Sequence, residues 1–330
     1  MQIIRSRRDF LAALSAAGAA SVLGARTSLA DEGPEVTSIR IGYDPNMCAA
    51  PQYIAEELLR AEGFTDISYV KPTKGVQVSS GEIDFDLESA AWLASHLDAG
   101  DRITALAGVH AGCYELFAQE PIRTISDLRG KSVGVQRLGS SSHMLISIII
   151  ANVGLDPHSD INWIANPDFD FKELFADGKV DAFLAAPPKS QELRARKIGR
   201  VILTSATDRP WSDYFCCLVF GNRAFVHDHP IATKRYLRAV LKAADICAAD
   251  PQGAARRLID GRFTDHYEYT LQTLTELSYD KWREFDSEDA MRFFALRLHE
   301  VGMIKSNPQE IIADGTDWRF LNELKRELKA

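Results

Sequence analysis

The spacing of apolar and polar residues along the chain alternates between patterns typical of strands and patterns typical of helices. Short β-branched runs at residues 39–43 and 132–136 each end at a polar loop, as buried strands do. Helical periods follow them: Pro51 favours a helix start, Gly63 its end, and a second helix opens near Ser140. Strands that alternate with amphipathic helices predict mostly parallel sheets in an α/β fold.

The middle of the chain repeats this order. A Gly-x-aliphatic-Asp pattern stands at residues 81–84 and again at 178–181, 97 residues later. Each copy follows a helix-like segment and enters a predicted strand. The repeated order of predicted strands and helices indicates two lobes of similar architecture. No low-complexity linker separates them, so we expect the chain to pass between the lobes by strands.

The C-terminal third is almost entirely helical in its pattern. Apolar residues at helical spacing predict a long helix that begins at Pro230. Asp250 and Pro251 indicate the start of a new helix, and further segments with helical spacing run to the end of the chain. We expect these helices to form an extension packed on the first lobe.

The N-terminus is predicted to be an export signal. Arg5, Arg7 and Arg8 precede an apolar, Ala-rich stretch at residues 10–23, and cleavage is expected after Ala30. The stretch is too short to span a bilayer, which needs about 20 residues. Residues 6–11 resemble the twin-arginine export consensus, although alanine follows where lysine is usual. The mature chain is therefore predicted to be periplasmic.

Composition and charge exclude several classes of protein. The chain has 330 residues, 46% of them hydrophobic, with a net charge of −8, so it can fold into two cored lobes. Removal of residues 1–30, which hold four basic residues and one acidic residue, would bring the charge to −11. No basic run is interleaved with aromatic residues, which argues against nucleic acid as a partner.

One segment carries a family resemblance. Residues 125–135, ISDLRGKSVGV, resemble the entry to the second lobe of type II periplasmic solute-binding proteins of the nitrate/sulfonate/taurine type. This resemblance implies two α/β lobes joined by two crossing strands, and we expect the protein to be a monomer. It also implies hinge closure around a small solute and delivery to the permease and ATPase of an ABC importer. Lobe one would comprise residues 36–120 and 218–330, and lobe two residues 121–217.

A ligand of such a fold is expected outside the carboxyl ends of the strands. After the second-lobe strand, a glycine-serine turn opens a helix whose N–H groups and hydroxyls favour an anion. Arg137, just before it, has a guanidinium that can hold an anion in two-pronged fashion. The alternatives are a plain helix cap and a solvated arginine. The predicted anion contacts are Arg137, Gly139, Ser140, Ser141 and Ser142.

Acidic and polar residues follow the first-lobe strands. Asp44 and Asn46 come after one strand, and Glu88 and Ser89 after another. Two carboxylates in a cleft would repel a bare inorganic anion, so a facing ligand should carry a donor such as an amine. The alternative is that each residue caps a helix. The sequence thus favours a small organic anion over nitrate.

Two further residues are candidates for the cleft wall. His110 lies near the expected crossing into lobe two, and Tyr214 precedes the return strand, where its ring can stack on a planar ligand. A structural role in the core is the alternative for both residues.

Metal, cofactor and catalytic chemistry find little support in the sequence. Five cysteines leave at least one unpaired, the chain has no Cys-x-x-Cys pair, and His227-Asp228-His229 fits a polar helix entry. The Gly-x-Ser-x-Gly elbow of serine hydrolases is absent. Cys216-Cys217 is similar, distantly, to the cysteine-rich run of fungal thiamin-precursor synthases, so a pyrimidine-precursor binder or synthase is an alternative function. A ligand-binding partner of a membrane sensor is another.

Overall fold

Two five-stranded sheets organise the chain. The computed structural model describes residues 33–71, 77–168 and 170–328, so the predicted export signal lies outside the described residues. The strands within these ranges are β1 (Ser38–Gly42), β2 (Asp66–Val70), β3 (Phe85–Ser89), β4 (Ile103–Ala111), β5 (Glu115–Ala118), β6 (Ser132–Val135), β7 (Asn162–Ala165), β8 (Ala182–Ala185), β9 (Arg200–Thr204) and β10 (Phe215–Asn222).

The two sheets have the same topology. Their strand orders are β2-β1-β3-β10-β4 and β7-β6-β8-β5-β9. In the first sheet β10 runs antiparallel to both of its neighbours, and in the second sheet β5 does so. The other four strands of each sheet run in one direction, which confirms the predicted two-lobed, mostly parallel α/β fold. The reversed strand is in each case the one by which the chain arrives from the other sheet.

The chain passes from one sheet to the other slightly earlier in the sequence than the expected lobe boundaries. β5 already belongs to the second sheet, whereas the sequence placed residues up to 120 in lobe one. Likewise β10 begins at Phe215 rather than at 218. Both are short apolar strands, and an apolar pattern does not indicate which sheet a crossing strand joins. The residue bounds of the two lobes stay a prediction.

The repeated aspartates explain the internal similarity. Asp84 accepts a hydrogen bond from the backbone N–H of Arg40 at 2.7 Å, and Asp181 accepts one from that of Ser132 at 2.8 Å. Each aspartate therefore ties the entry of one strand, β3 or β8, to the neighbouring strand, β1 or β6. The Gly-x-aliphatic-Asp pattern marks this equivalent junction in both sheets.

Helices cover the sheets and extend to the C-terminus. The described ones are α1 (Ala50–Ile54), α2 (Glu56–Ala61), α3 (Gln77–Ser80), α4 (Ala90–Asp98), α5 (Ser141–Asn152), α6 (Phe171–Ala176), α7 (Lys189–Arg196), α8 (Arg223–Asp228), α9 (Pro230–Ala249), α10 (Pro251–Asp260), α11 (Tyr267–Glu276), α12 (Ser287–Glu300), α13 (Pro308–Gly315) and α14 (Arg319–Glu327). Short 3-10 turns lie at Met47–Ala49, Ile125–Leu128, Trp211–Asp213 and Tyr279–Arg283.

The helices match their sequence signals closely. The first predicted helix forms as two pieces, α1 and α2, and α5 begins after its N-cap Ser140. Gly63 and Gly154 follow helix ends with φ of +103° and +83°, a conformation that glycine adopts without strain. The C-terminal helix α9 packs on α1 and α2, and α12 packs on α4, so the helical extension covers the first sheet as expected.

Among the described residues, no helix combines the length and the apolar character needed to cross a bilayer.

Candidate functional site

A cavity of about 240 Å³ opens where the carboxyl ends of strands from both sheets meet. Its first wall comes from the loop after β1 and from the end of β3. Its second wall comes from the β6–α5 loop, the start of α6 and the segment after β8. Seven of the residues predicted from sequence line it: Asp44, Asn46, Glu88, Arg137, Ser140, Ser141 and Ser142.

Carboxyl groups dominate the first wall. Asp44 accepts a hydrogen bond from the backbone N–H of Asn46 at 2.7 Å, and Glu88 accepts one from that of Ser89 at 2.6 Å. Burial raises the pKa of Asp44 to about 6 and that of Glu88 to about 8, and it raises the pKa of nearby Asp86 to about 7. At neutral pH this wall therefore offers carboxylic acid O–H donors as well as carboxylate acceptors.

The N-terminus of α5 forms the centre of the second wall. The Ser140 hydroxyl accepts from the backbone N–H of His143 at 3.4 Å and lies 3.1 Å from the Ser142 hydroxyl, so Ser140 caps the helix. The first N–H groups of the helix remain without helical acceptors and carry its positive dipole end. The Ser141 hydroxyl is near enough to Glu88 to lower its pKa, against the larger effect of burial. The two walls thus meet at this point.

Three basic side chains line the cavity beside this helix. Lys172 Nζ lies 3.0 Å from Glu192, and Lys189 Nζ lies 3.8 Å from Asp170. Within the described part of the chain, the guanidinium of Arg137 has neither a hydrogen bond nor an ion pair, and the residue is exposed. The donors of the Arg137 guanidinium are therefore available to a ligand.

Sequence reasoning missed part of this lining. Lys172 and Lys189 lie in the first turns of α6 and α7, the helices that follow β7 and β8, so a search of the helix start after every strand would have included them. Trp92 contributes aromatic surface to the same cavity, and its position inside α4 carries no sequence signal for a ligand site. Tyr114 also lines the cavity, between β4 and β5, where the sequence places the crossing into lobe two.

The structure places four predicted residues outside the cavity lining. The Ser89 hydroxyl caps α4 by accepting from a backbone N–H at 3.3 Å. The N–H of Gly139 donates to His143 at 3.0 Å. Tyr214 stacks on Phe293 with ring centroids 4.0 Å apart. For these three residues, local capping and core packing account for the positions that the sequence assigned to a ligand.

The fourth of these residues, His110, lies fully buried beneath the cavity in a cluster of thiols. The Sγ atoms of Cys48, Cys113 and Cys217 and one ring nitrogen of His110 all lie within 4.8 Å of one another. All five cysteines are buried and free. The expectation that no metal site exists rested on local spacing, and these four residues come from distant segments of the sequence. Such a cluster cannot be found from local motifs.

Comparisons with known proteins agree with this architecture. The nitrate-binding protein NrtA of Synechocystis superimposes with a TM-score of 0.75 at 16% identity, covering 90% of each chain. The alkanesulfonate-binding protein SsuA of Xanthomonas axonopodis pv. citri, bound to MOPS, gives 0.71 at 18% identity, covering 86% of this chain and 99% of its own. These similarities confirm the fold of type II periplasmic binding proteins.

Sequence comparison gives the family. NrtC, a nitrate import ATP-binding protein of Synechocystis, is 22% identical over 245 residues, which are 67% of this chain and 36% of NrtC. The chain spans about a third to just over half of the length of the curated relatives it matches. A family model matches residues 32–260, more than two thirds of the sequence. The chain belongs to the NMT1-like family.

Proposed function

We propose that this chain is the exported, periplasmic solute-binding component of an ATP-driven importer. It works as a monomer that captures a small organic anion and presents it to a membrane permease and its ATPase. The names of its relatives and neighbours, which refer to nitrate import and to nitrate and sulfonate binding, support this class of function.

The observation that carries the proposal is the opposition of unlike walls across one cavity. Asp44 and Glu88 lie on the first wall, while Arg137 and the N-terminus of α5 lie on the second. A ligand with an anionic end and a donor end satisfies both walls at once, and its contacts then stabilise the closed form over an open one. Closure is what a transporter can recognise.

The ligand class follows from the same walls. Sulfonate or carboxylate oxygens suit Arg137 and the free N–H groups of α5. An amine, amide or protonated ring nitrogen suits the carboxyl groups of Asp44 and Glu88. Nitrate has no donor group, so it offers nothing to the carboxylate acceptors of the first wall. We therefore favour amino sulfonates and amino or heteroaromatic carboxylates as solutes.

The test is thermal unfolding of the purified protein with a panel of solutes. The panel holds amino sulfonates, alkanesulfonates, amino and aromatic carboxylates, pyrimidines, nitrate and bicarbonate. A ligand at about 100 times its Kd stabilises by about 2.7 kcal/mol, or about 5 to 10 °C.

Two variants locate the anion end of any solute that shifts the midpoint. The double variant Arg137→Ala with Ser141→Ala is expected to lose the shift. Arg256→Ala serves as the matched control, because this arginine is exposed on α10 and lies outside the cavity lining. Equal shifts in the double variant and the control would contradict the site. No shift with any solute would contradict the ligand class.

A further inference from the structure

The thiol cluster beneath the cavity has the donor set of a metal centre. Cys48, Cys113, Cys217 and His110 each offer one ligand atom, and these four atoms all lie within 4.8 Å of one another. The four residues are between 0% and 6% exposed. Three sulfur donors and one imidazole, shielded from water, match the closed Cys₃His sites that hold Zn²⁺.

The distances are close to those of a loaded site. A tetrahedral Zn²⁺ with Zn–S bonds of about 2.3 Å and a Zn–N bond of about 2.0 Å separates its ligand atoms by about 3.5 to 3.8 Å. The cluster therefore needs to contract by about 1.3 Å at most. Side-chain rotations of that size leave the backbone in place.

His110 is oriented as a ligand. Its Nδ1 lies 3.1 Å from the backbone oxygen of Ala111, so this nitrogen donates its proton to a carbonyl and leaves Nε2 with a lone pair. Nε2 is buried and has no hydrogen-bond partner among the described residues. A buried polar atom without a partner is costly, and a metal ion removes that cost. A backbone carbonyl on the other ring nitrogen is the usual outer contact of a ligating histidine.

Tyr279, which is not part of the cluster, contacts two of its members, Cys48 and His110. The Tyr279 hydroxyl donates to the backbone oxygens of Met47 and Cys48 at 3.2 and 3.1 Å. Its ring meets His110 edge to face, with centroids 5.5 Å apart. Tyr279 itself is fully buried. The donor atoms thus lie on a rigid scaffold, as a preorganised site requires.

The position of the cluster connects it with the cleft. Cys48 follows β1, and His110 is the penultimate residue of β4. Cys113 begins the crossing to the second sheet, and Cys217 lies on the returning strand β10. Cys48 and Cys217 also line the cavity, which gives an ion a path to the cluster. We propose that Cys48, His110, Cys113 and Cys217 form a tetrahedral Zn²⁺ site that fastens the two crossing segments to the floor of the cleft.

Metal binding is tested on the full protein, purified with its thiols reduced. The probes are Zn²⁺, measured by elemental analysis after dialysis, and Co²⁺, whose visible spectrum reports tetrahedral thiolate ligation. We expect one ion per chain, with thiolate-to-cobalt charge-transfer bands. The Cys48→Ser and His110→Gln variants should bind at least about 10-fold more weakly. Cys247→Ser is the matched control, because Cys247 is fully buried and lies outside the cluster.

Three results would overturn the proposal. One is a cobalt spectrum of the wild-type protein without thiolate charge-transfer bands. This result does not require that any variant folds. Another is equal affinity in Cys48→Ser, His110→Gln and Cys247→Ser. The third is a disulfide among the cluster cysteines in protein purified without reductant, found by mass spectrometry after alkylation, together with no bound metal. Zinc-dependent thermal stabilisation of the wild type, absent from folded Cys48→Ser, would support the site. None of these readouts depends on the transported solute.

Discussion

The carboxyl groups of the cleft make a sharp prediction about stability and pH. Burial raises the pKa of Glu88 from its ordinary value of 4.5 to about 8. The folded chain therefore holds this proton to higher pH than the unfolded chain does. Below about pH 4.5 the group is protonated in both states, and above about pH 8 it is ionised in both. Between these values, the free energy of unfolding falls as pH rises.

The Glu88→Gln variant has no proton to lose at this position. Its free energy of unfolding, relative to the wild type, should therefore increase from about pH 4.5 to about pH 8 and level off above. The difference between a pKa of 4.5 in the unfolded chain and about 8 in the folded chain corresponds to a change in the free energy of unfolding of about 5 kcal/mol at most. Because the charges of Asp44 and Asp86 also contribute to the shift, we expect a relative gain of about 2 to 5 kcal/mol.

Urea unfolding followed by circular dichroism measures this difference across the pH range. Glu57→Gln is the matched control, because the Glu57 side chain is 86% exposed. The control should show a difference from the wild type that hardly changes with pH. A Glu88→Gln difference that stays constant from about pH 4.5 to about pH 9 would refute the reasoning, because it would show that burial does not hold the proton.

Two other predictions concern the sheets. A Cβ at Gly42 would overlap the carboxyl group of Asp86. Gly42→Ala should therefore lower the free energy of unfolding by about 1 to 3 kcal/mol or more. Gly33 has open space around it, so Gly33→Ala should change the free energy of unfolding little. Equal melting temperatures for these two variants would contradict the packing at β1. Asp181→Ala removes the acceptor of the Ser132 N–H and should cost about 1 to 3 kcal/mol in urea unfolding. A variant as stable as the wild type would contradict the role of the repeated aspartates.

The fold was largely predictable from local patterns. The Gly-x-aliphatic-Asp repeat marked the equivalent strands β3 and β8, because its aspartates make the same backbone hydrogen bond in both sheets. Helix starts and ends followed from Pro51, Ser140 and the positive-φ glycines. The crossing strands were harder to assign, because a short apolar run has the same pattern in either sheet.

The cavity was predictable where strand ends supply its lining. Asp44, Glu88, Arg137 and the α5 serines were found by this rule. Tyr214 was predicted to contact the ligand but packs on a phenylalanine from α12, which is more than 70 residues away in sequence. Aromatic composition alone does not separate a cleft wall from a core.

The thiol cluster shows where sequence reasoning ends. Its four donors lie on three separate stretches of chain, at Cys48, at His110 with Cys113, and at Cys217. Only the crossing of the chain between the sheets brings them together. Local spacing rules for metal sites detect ligands that share a loop, so they are blind to this arrangement.

The most direct test of the account is a crystal structure of the protein with the solute that raises its thermal midpoint most. We predict that the anionic end of the solute contacts Arg137 and the first N–H groups of α5, and that a donor group faces Asp44 or Glu88. A solute bound outside this cavity, or held in it with its anionic group toward Asp44 and Glu88, would contradict the proposed function.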